Sequence, residues 1–512
     1  MKPMHFLFAG LFAVSAGTTP LLAQPKRYSL DFDAGKYEPQ TVTVNGNEIS
    51  IRAFERIVYV ANPVDTTYQI LNIYIPEGYF HGETINGYTA RSAPVFFPNR
   101  IGGYMAAQPA TAINTPNGRP PGNGTPPQGP GGAPPNGMGM GGNRGPSAMA
   151  LALSKGYVVA SAGARGRMTK DAQGLFTGKS PAALVDLKAA IRYLKYNDEA
   201  MPGDANKIIS NGTSAGGAMS SLLGATGNNK DYEPYLKDLG AAPANDDIFA
   251  VSAYCPITNL DNADAAYEWQ FNGVNTYRRG GPMQGNNAAG AALTPEQITV
   301  SAQLKALFPA YLNSLQLTAP DGQRLSLDNS GNGSFKEYVN AYVIASAQKA
   351  LGSGKDLSAH SWLTISGGKV TDLNFDAFVR YQERMKTPPA FDALDLGSPE
   401  NQEFGTATVD KQHFTAFSAS HSTVQAPRAD EQFVRMLNPM HYIGTKGTQT
   451  AKYWRIRHGS KDKDTSLAIP VILATYLQNK GYTVNLELPW DRPHSGDYDL
   501  DELFQWVDQL CK

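Results

Sequence analysis

Residues 208–218 read Ile208-Ile209-Ser210-Asn211-Gly212-Thr213-Ser214-Ala215-Gly216-Gly217-Ala218, and this stretch decides the fold. Residues 207–210 form an apolar run with the length of a buried strand. A helix is expected from about residue 218. Between them stands G-x-S-x-G, which on its own is a common coincidence of glycine and serine. Its place between a strand and a helix makes it a nucleophile elbow. Glycines let the sharp turn form, because a Cβ there would clash. The turn lifts Ser214 Oγ out of the backbone. It also aims the Ala215 N–H, at a helix N-terminus, toward the place where an oxyanion would form. The bland alternative is a tight strand–helix turn with an incidental serine.

A serine nucleophile needs a base and an acid, and after an elbow of this kind they follow in the order acid, then histidine. Eight histidines are present. His494 lies in Pro489-Trp490-Asp491-Arg492-Pro493-His494-Ser495-Gly496-Asp497, after a strand-like run and before the last helix-like run. His458 ends a strand-like segment and reads as structural. Asp462 and Asp464, in His458-Gly459-Ser460-Lys461-Asp462-Lys463-Asp464-Thr465, both qualify as the acid. Spacing favours Asp462, the sooner after the strand, and leaves Asp464 open. A second oxyanion donor is expected from Asn99-Arg100-Ile101-Gly102-Gly103-Tyr104. Gly102 and Gly103 would permit close backbone approach there, and an ordinary turn is the alternative.

Away from these motifs the chain alternates strand and helix. Strands are expected at 41–45, 50–60, 68–75, 93–97, 156–161, 207–210, 248–254, 453–457 and 483–488. Helices are expected at 147–155, 182–197, 469–480 and 500–510. Such alternation implies a mainly parallel sheet in an α/β fold. Residues 259–436 interrupt it, with helix-like segments at 294–307, 335–351 and 375–386. One core divided into 24–258 and 437–512 by a large insertion explains this better than two tandem domains. Between Gln108 and Pro146, 39 residues hold 10 prolines and 11 glycines. Such a tract buries little apolar surface and is expected to be a disordered loop within the core.

Composition narrows the function. The 512 residues carry 44 Lys+Arg and 45 Asp+Glu, a net charge of -1. Neither a basic nucleic-acid footprint nor an acidic disordered chain fits that balance. No run after the first 25 residues is long and apolar enough to span a bilayer. The N-terminus itself, with Lys2 ahead of an apolar stretch and Leu21-Leu22-Ala23 after Pro20, reads as a signal peptide over 1–23 cleaved near Ala23, hence export. Cys255 and Cys511 are the two cysteines. Export permits a disulfide, but buried thiols are the commoner outcome. No CxxC or Cys/His cluster suggests zinc.

The elbow GTSAGGAMS (212–220), KTPPAFDALDLGSPENQEFG (386–405), RIRHGSKDKDTS (455–466) and LPWDRPHSGDYDLDELFQW (488–506) together resemble bacterial tannases over roughly residues 50–512. The resemblance implies an α/β-hydrolase core with a large inserted lid domain over 259–436, and hydrolysis of galloyl esters. It implies Ser214 as nucleophile, His494 as base and Asp462, rather than Asp464, as acid. It also implies that Lys386, Glu400 and Asp464 hold the hydroxyls of the galloyl ring; without it, Lys386 and Glu400 read as solvated charges. The implied partner is a small phenolic ester, with no nucleic acid, no membrane insertion, and no metal or organic cofactor. The 108–146 tract is longer than the resemblance leads one to expect. A feruloyl esterase, with the same triad and a more apolar pocket, is the nearest alternative.

Overall fold

The computed structural model describes residues 27–112, 146–278 and 290–512. The expected leader at 1–23 and nearly all of the 108–146 tract lie outside them. Apolar and β-branched runs build one nine-stranded sheet. Its strands are β1 (Glu38–Val44), β2 (Asn47–Val58), β3 (Ile70–Pro76), β4 (Pro94–Pro98), β5 (Val158–Ala162), β6 (Asp204–Thr213), β7 (Ala250–Tyr254), β8 (Tyr453–Arg457) and β9 (Thr483–Glu487). Their spatial order is β1-β2-β3-β5-β4-β6-β7-β8-β9. Pairings from β1 to β5 through β2 and β3 are antiparallel, and all those beyond are parallel. Every residue of β3, β4, β5 and β7 is buried. Continuous burial is what strands covered on both faces require, and it explains why these segments read as apolar runs rather than alternations.

Helices α1 (Ala148–Ser154), α2 (Ala182–Tyr196) and α3 (Ala215–Ala225) follow the first strands. Helix α3 begins directly after Ser214, three residues ahead of the expected start. Gly216 and Gly217 lie inside its first turn. Each glycine costs a helix about 1 kcal/mol of propensity, so the local signal pointed further along. The compensation is closeness. A Cβ on Gly224 would stand 2.2 Å from Val251 Cγ2 and 3.1 Å from the Trp454 ring, so the glycine face of α3 lies tight on β7 and β8.

β7 and β8 are hydrogen-bonded neighbours, with Ala250 opposite Tyr453. The chain nonetheless leaves the sheet between them for α4 (Leu260–Phe271), α5 (Pro295–Ser314), α6 (Ser334–Gly352), α7 (Phe375–Gln382) and α8 (Pro399–Glu403). This excursion packs on aromatic rings of its own: Trp269 lies 5.3 Å from Phe308, 5.8 Å from Phe335 and 5.6 Å from Phe375. Helix α7 stops at Gln382, short of the expected 386, and frees the segment that carries Lys386. After the sheet resumes, α9 (Ala468–Asn479) and α10 (Leu500–Cys511) complete the chain. Leu503, Phe504 and Val507 turn one face of α10 inward. Cys255 and Cys511 are both buried free thiols.

Candidate active site

The turn from β6 into α3 sets Ser214 at φ 63°, ψ -124°. A non-glycine residue held there is strained by about 1–3 kcal/mol, and only surrounding structure can enforce it. Three glycines supply the clearance. A Cβ on Gly212 would lie 2.3 Å from Gly216 O, one on Gly216 2.6 Å from Asn99 Oδ1, and one on Gly217 2.6 Å from Tyr254 O. The Ser214 N–H donates to Tyr254 O at 3.0 Å, tying the elbow to the end of β7. Asn99 Nδ2 donates to Asn211 O at 3.2 Å, Gly216 O at 3.0 Å and Ser220 Oγ at 3.0 Å. Asn99 thus bridges the start of the 99–104 loop to both arms of the elbow. Ala215 is the first helical residue, where an N–H has no intrahelical acceptor.

The loops after β8 and β9 meet at an imidazole. His494 Nδ1 lies 2.8 Å from Asp462 Oδ2, and among the described residues Nε2 has no hydrogen-bond partner. The Asp462 side chain is fully buried, and that of His494 is 25% exposed. Burial works against the Asp462 charge, but His494 and then His458 hold its carboxyl well below the ordinary range. Burial likewise disfavours the His494 proton, and the facing carboxylates of Asp462 and Asp464 outweigh it, raising that imidazole well above its usual value. His458 is fully buried, 3.7 Å from Asp462 through Nε2, and burial pushes its pKa down. Cys255 Sγ donates to Ser495 O at 3.4 Å and so braces the histidine loop.

Gly102 and Gly103 occupy the loop after β4. Nothing lies within 4 Å of a Cβ built on either. Gly103 has φ 54° and Tyr104 φ 57°, so the loop turns through two successive left-handed residues, for which glycine is the easy occupant.

Lys386, Asp464 and Glu400 gather beside the imidazole. Lys386 Nζ lies 2.5 Å from Asp464 Oδ1 and 3.9 Å above the Phe391 ring. Asp464 Oδ2 is 3.7 Å from His494 Nε2. Glu400 is 7% exposed. Its burial pushes the carboxyl up, against the pull of Lys386. For Lys386, burial is outweighed by Asp464 and Glu400, which raise it. Read from sequence alone, Lys386 and Glu400 are ordinary surface charges; here Glu400 is buried and the charge of Lys386 acts on its carboxyl.

Two supports escaped the sequence reading. Tyr267 Oη on α4 accepts from the Met385 and Lys386 N–H groups at 3.2 and 3.1 Å and donates to Lys463 O at 3.0 Å. It joins the segment before Lys386 to the loop between the two aspartates. Asp392 Oδ1 accepts from Asn401 Nδ2 at 2.7 Å and faces His413 Nδ1 at 2.7 Å, fixing the short helix that bears Glu400. Nothing but a generic polar residue marks either position in the chain.

A family model described as BD-FAE matches residues 138–297. Among solved structures, the native tannin acyl hydrolase from Lactobacillus plantarum is 47% identical, with 94% of this chain and 99% of that one covered and a TM-score of 0.85. The tannase of Fusobacterium nucleatum is 49% identical, covering 95% of this chain and 100% of that one, with a TM-score of 0.85. A tannin acyl hydrolase in complex with ethyl gallate is 47% identical over 94% of this chain and 99% of its own, with a TM-score of 0.84. No curated protein matches.

Proposed function

Because this chain belongs to the tannases, ester hydrolases of the α/β-hydrolase fold, we propose that it releases gallic acid from galloyl esters through an acyl-enzyme on Ser214. The observation that carries the reading is the 2.8 Å contact of Asp462 with His494 Nδ1, which leaves Nε2 free to serve the elbow serine. Ser214 Oγ attacks the ester carbonyl while His494 Nε2 takes its proton. Asp462 keeps the imidazole oriented and stabilises its charge. The oxyanion is held by the Ala215 N–H and by an N–H of the loop at Gly102 or Gly103. As the carbonyl re-forms, the ester C–O bond breaks and His494 protonates the departing alcohol. Water, deprotonated by His494, then attacks the galloyl ester of Ser214. Collapse of the second tetrahedral intermediate breaks the bond to Oγ, returns the proton to it and frees gallic acid.

Lys386, Glu400 and Asp464 take the ring hydroxyls. One ammonium and two carboxylates in a recess suit a polyhydroxylated ring better than the methoxylated ring of a ferulate. In this reading the 259–436 insertion is a lid, since it brings Lys386 to Asp464 beside His494. Export with cleavage near Ala23 accords with the apolar N-terminus; among the described residues no helix is long and apolar enough to cross a membrane. The test is gallic acid release from methyl gallate against methyl ferulate and methyl benzoate. Preference for gallate is expected, and equal rates on all three would remove the ring-binding assignment.

A further inference from the structure

Outside the triad and the ring-binding trio, one charged side chain stands out. Arg167 is 8% exposed, yet among the described residues its only side-chain hydrogen bond is from Nε to Gly103 O at 2.8 Å. Its backbone N–H donates to the next carbonyl, Tyr104 O, at 2.9 Å. One residue therefore holds the carbonyls of both left-handed residues of the loop. The contact is close-fitting, because a Cβ on the preceding Gly166 would stand 2.1 Å from Ala106 N. Gly102 O accepts from the Met105 N–H at 3.0 Å, and that N–H shares a peptide plane with the clamped Tyr104 carbonyl.

Fixing a carbonyl fixes its peptide plane and the next N–H: the Tyr104 carbonyl sets the Met105 N–H, which holds Gly102 O, and the plane of Gly102 O carries the Gly103 N–H. A left-handed Tyr104 is strained and persists only where surrounding structure imposes it. The loop at 102–104 would otherwise relax and turn its donors elsewhere. We infer that Arg167 is a positioning residue for the oxyanion loop, clamping the Gly103 and Tyr104 carbonyls so that, through the Met105–Gly102 hydrogen bond, the Gly103 N–H is held toward the ester oxygen. The inference rests on the reading of Ser214 as nucleophile and of this loop as its oxyanion partner.

Burial works against the Arg167 charge, and nearby acids offset part of that effect. Glu400 and Glu403 are the acids whose charge bears most on Arg167. Glu403 is 1% exposed, and neither of its carboxylate oxygens has a partner among the described residues. Lysine would not substitute, because the clamp needs a planar Nε donor with the charge set back from it.

The test is Arg167→Ala and Arg167→Lys on methyl gallate, with Ser214→Ala alongside. A misplaced oxyanion donor costs on the order of 10²-fold in rate. Both Arg167 variants should lose kcat on that order while KM stays within about threefold. Methylguanidinium should restore part of kcat to Arg167→Ala, and methylammonium should not. An unchanged kcat, a rise in KM alone, or a loss that methylguanidinium fails to reverse would overturn the inference. If Arg167→Ala does not fold, Arg167→Lys and Arg167→Gln carry the same kcat-against-KM readout. Active Ser214→Ala would overturn the nucleophile reading itself. Inactive Ser214→Ala with an unimpaired Arg167→Ala would sink only the clamp.

Discussion

The Asp464 N–H donates to Asp462 Oδ1 at 2.8 Å. Asp462 gives its other oxygen to His494 Nδ1 at 2.8 Å, and the Asp464 carboxylate stands 3.7 Å from Nε2 of the same ring. Two aspartates two residues apart thus take opposite edges of one imidazole, and the backbone of one is bonded to the carboxylate of the other. The two carboxylates are therefore coupled through this loop, and in the function proposed above they are the acid of the triad and a ligand of the substrate ring.

That coupling sets a pH dependence. His494 must be neutral to act as a base, and its pKa is raised by Asp462 and Asp464 together. In the free enzyme, kcat/KM should fall as pH drops through that raised value. Asp464→Asn removes one of the two negative charges, so the His494 pKa falls and the acid limb of kcat/KM moves to lower pH. KM for methyl gallate should rise in the same variant, because a ring partner is lost. A pH–rate profile that does not move would separate Asp464 from the imidazole.

The strained φ of 63° at Ser214 predicts a difference between two inactive variants. Ser214→Ala keeps a Cβ and the strain; Ser214→Gly removes both. Each should lose on the order of 10⁶ in rate, as loss of a serine nucleophile does. Ser214→Gly should nevertheless melt higher than Ser214→Ala, by about 1 kcal/mol after glycine's extra unfolded-state entropy is allowed for. Thermal unfolding of the two side by side decides it.

Much of this site was legible in the chain, for a physical reason. A strand, a glycine turn and a helix are local, so the elbow shows in eleven consecutive residues, and His494 is found by its place between the last strand and the last helix. Spacing could not separate Asp462 from Asp464, because both lie on one short loop and only the direction of each side chain distinguishes them. Asn99, Arg167 and Tyr267 were invisible as supports. The Asn99 partners lie 112 to 121 residues away, that of Arg167 lies 64 away and the Lys463 carbonyl lies 196 from Tyr267. No local pattern encodes contacts of that range.

Glycine surroundings give the next contrast. Gly212→Ala would drive a methyl to 2.3 Å from the Gly216 carbonyl, backbone against backbone, so the elbow must open. Overpacking of that kind costs about 1–3 kcal/mol or more, and the variant should lose both melting temperature and activity. Gly102→Ala meets nothing within 4 Å and should keep its melting temperature, while any loss of kcat would measure how far the new methyl intrudes on the bound ester. Equal destabilisation by the two substitutions would contradict this geometry.

The three residues proposed to hold the ring give the sharpest chemical test, because two of them are already paired. Lys386 pairs with Asp464 at 2.5 Å, and Glu400 is buried within their field. Glu400→Gln keeps the shape and can still donate or accept one hydrogen bond, but it lacks the charge that accepts strongly from a phenolic O–H. Glu400→Ala leaves a hydroxyl of the bound ring without its partner, and such a loss costs about 1–3 kcal/mol. The gallate preference over methyl benzoate should therefore narrow by about 10- to 100-fold in Glu400→Ala and less in Glu400→Gln, while the slow turnover of methyl benzoate itself stays nearly constant. A fall in both substrates by the same factor would mean that Glu400 supports the fold of the recess rather than reading the ring, and kcat/KM on the two esters distinguishes these directly.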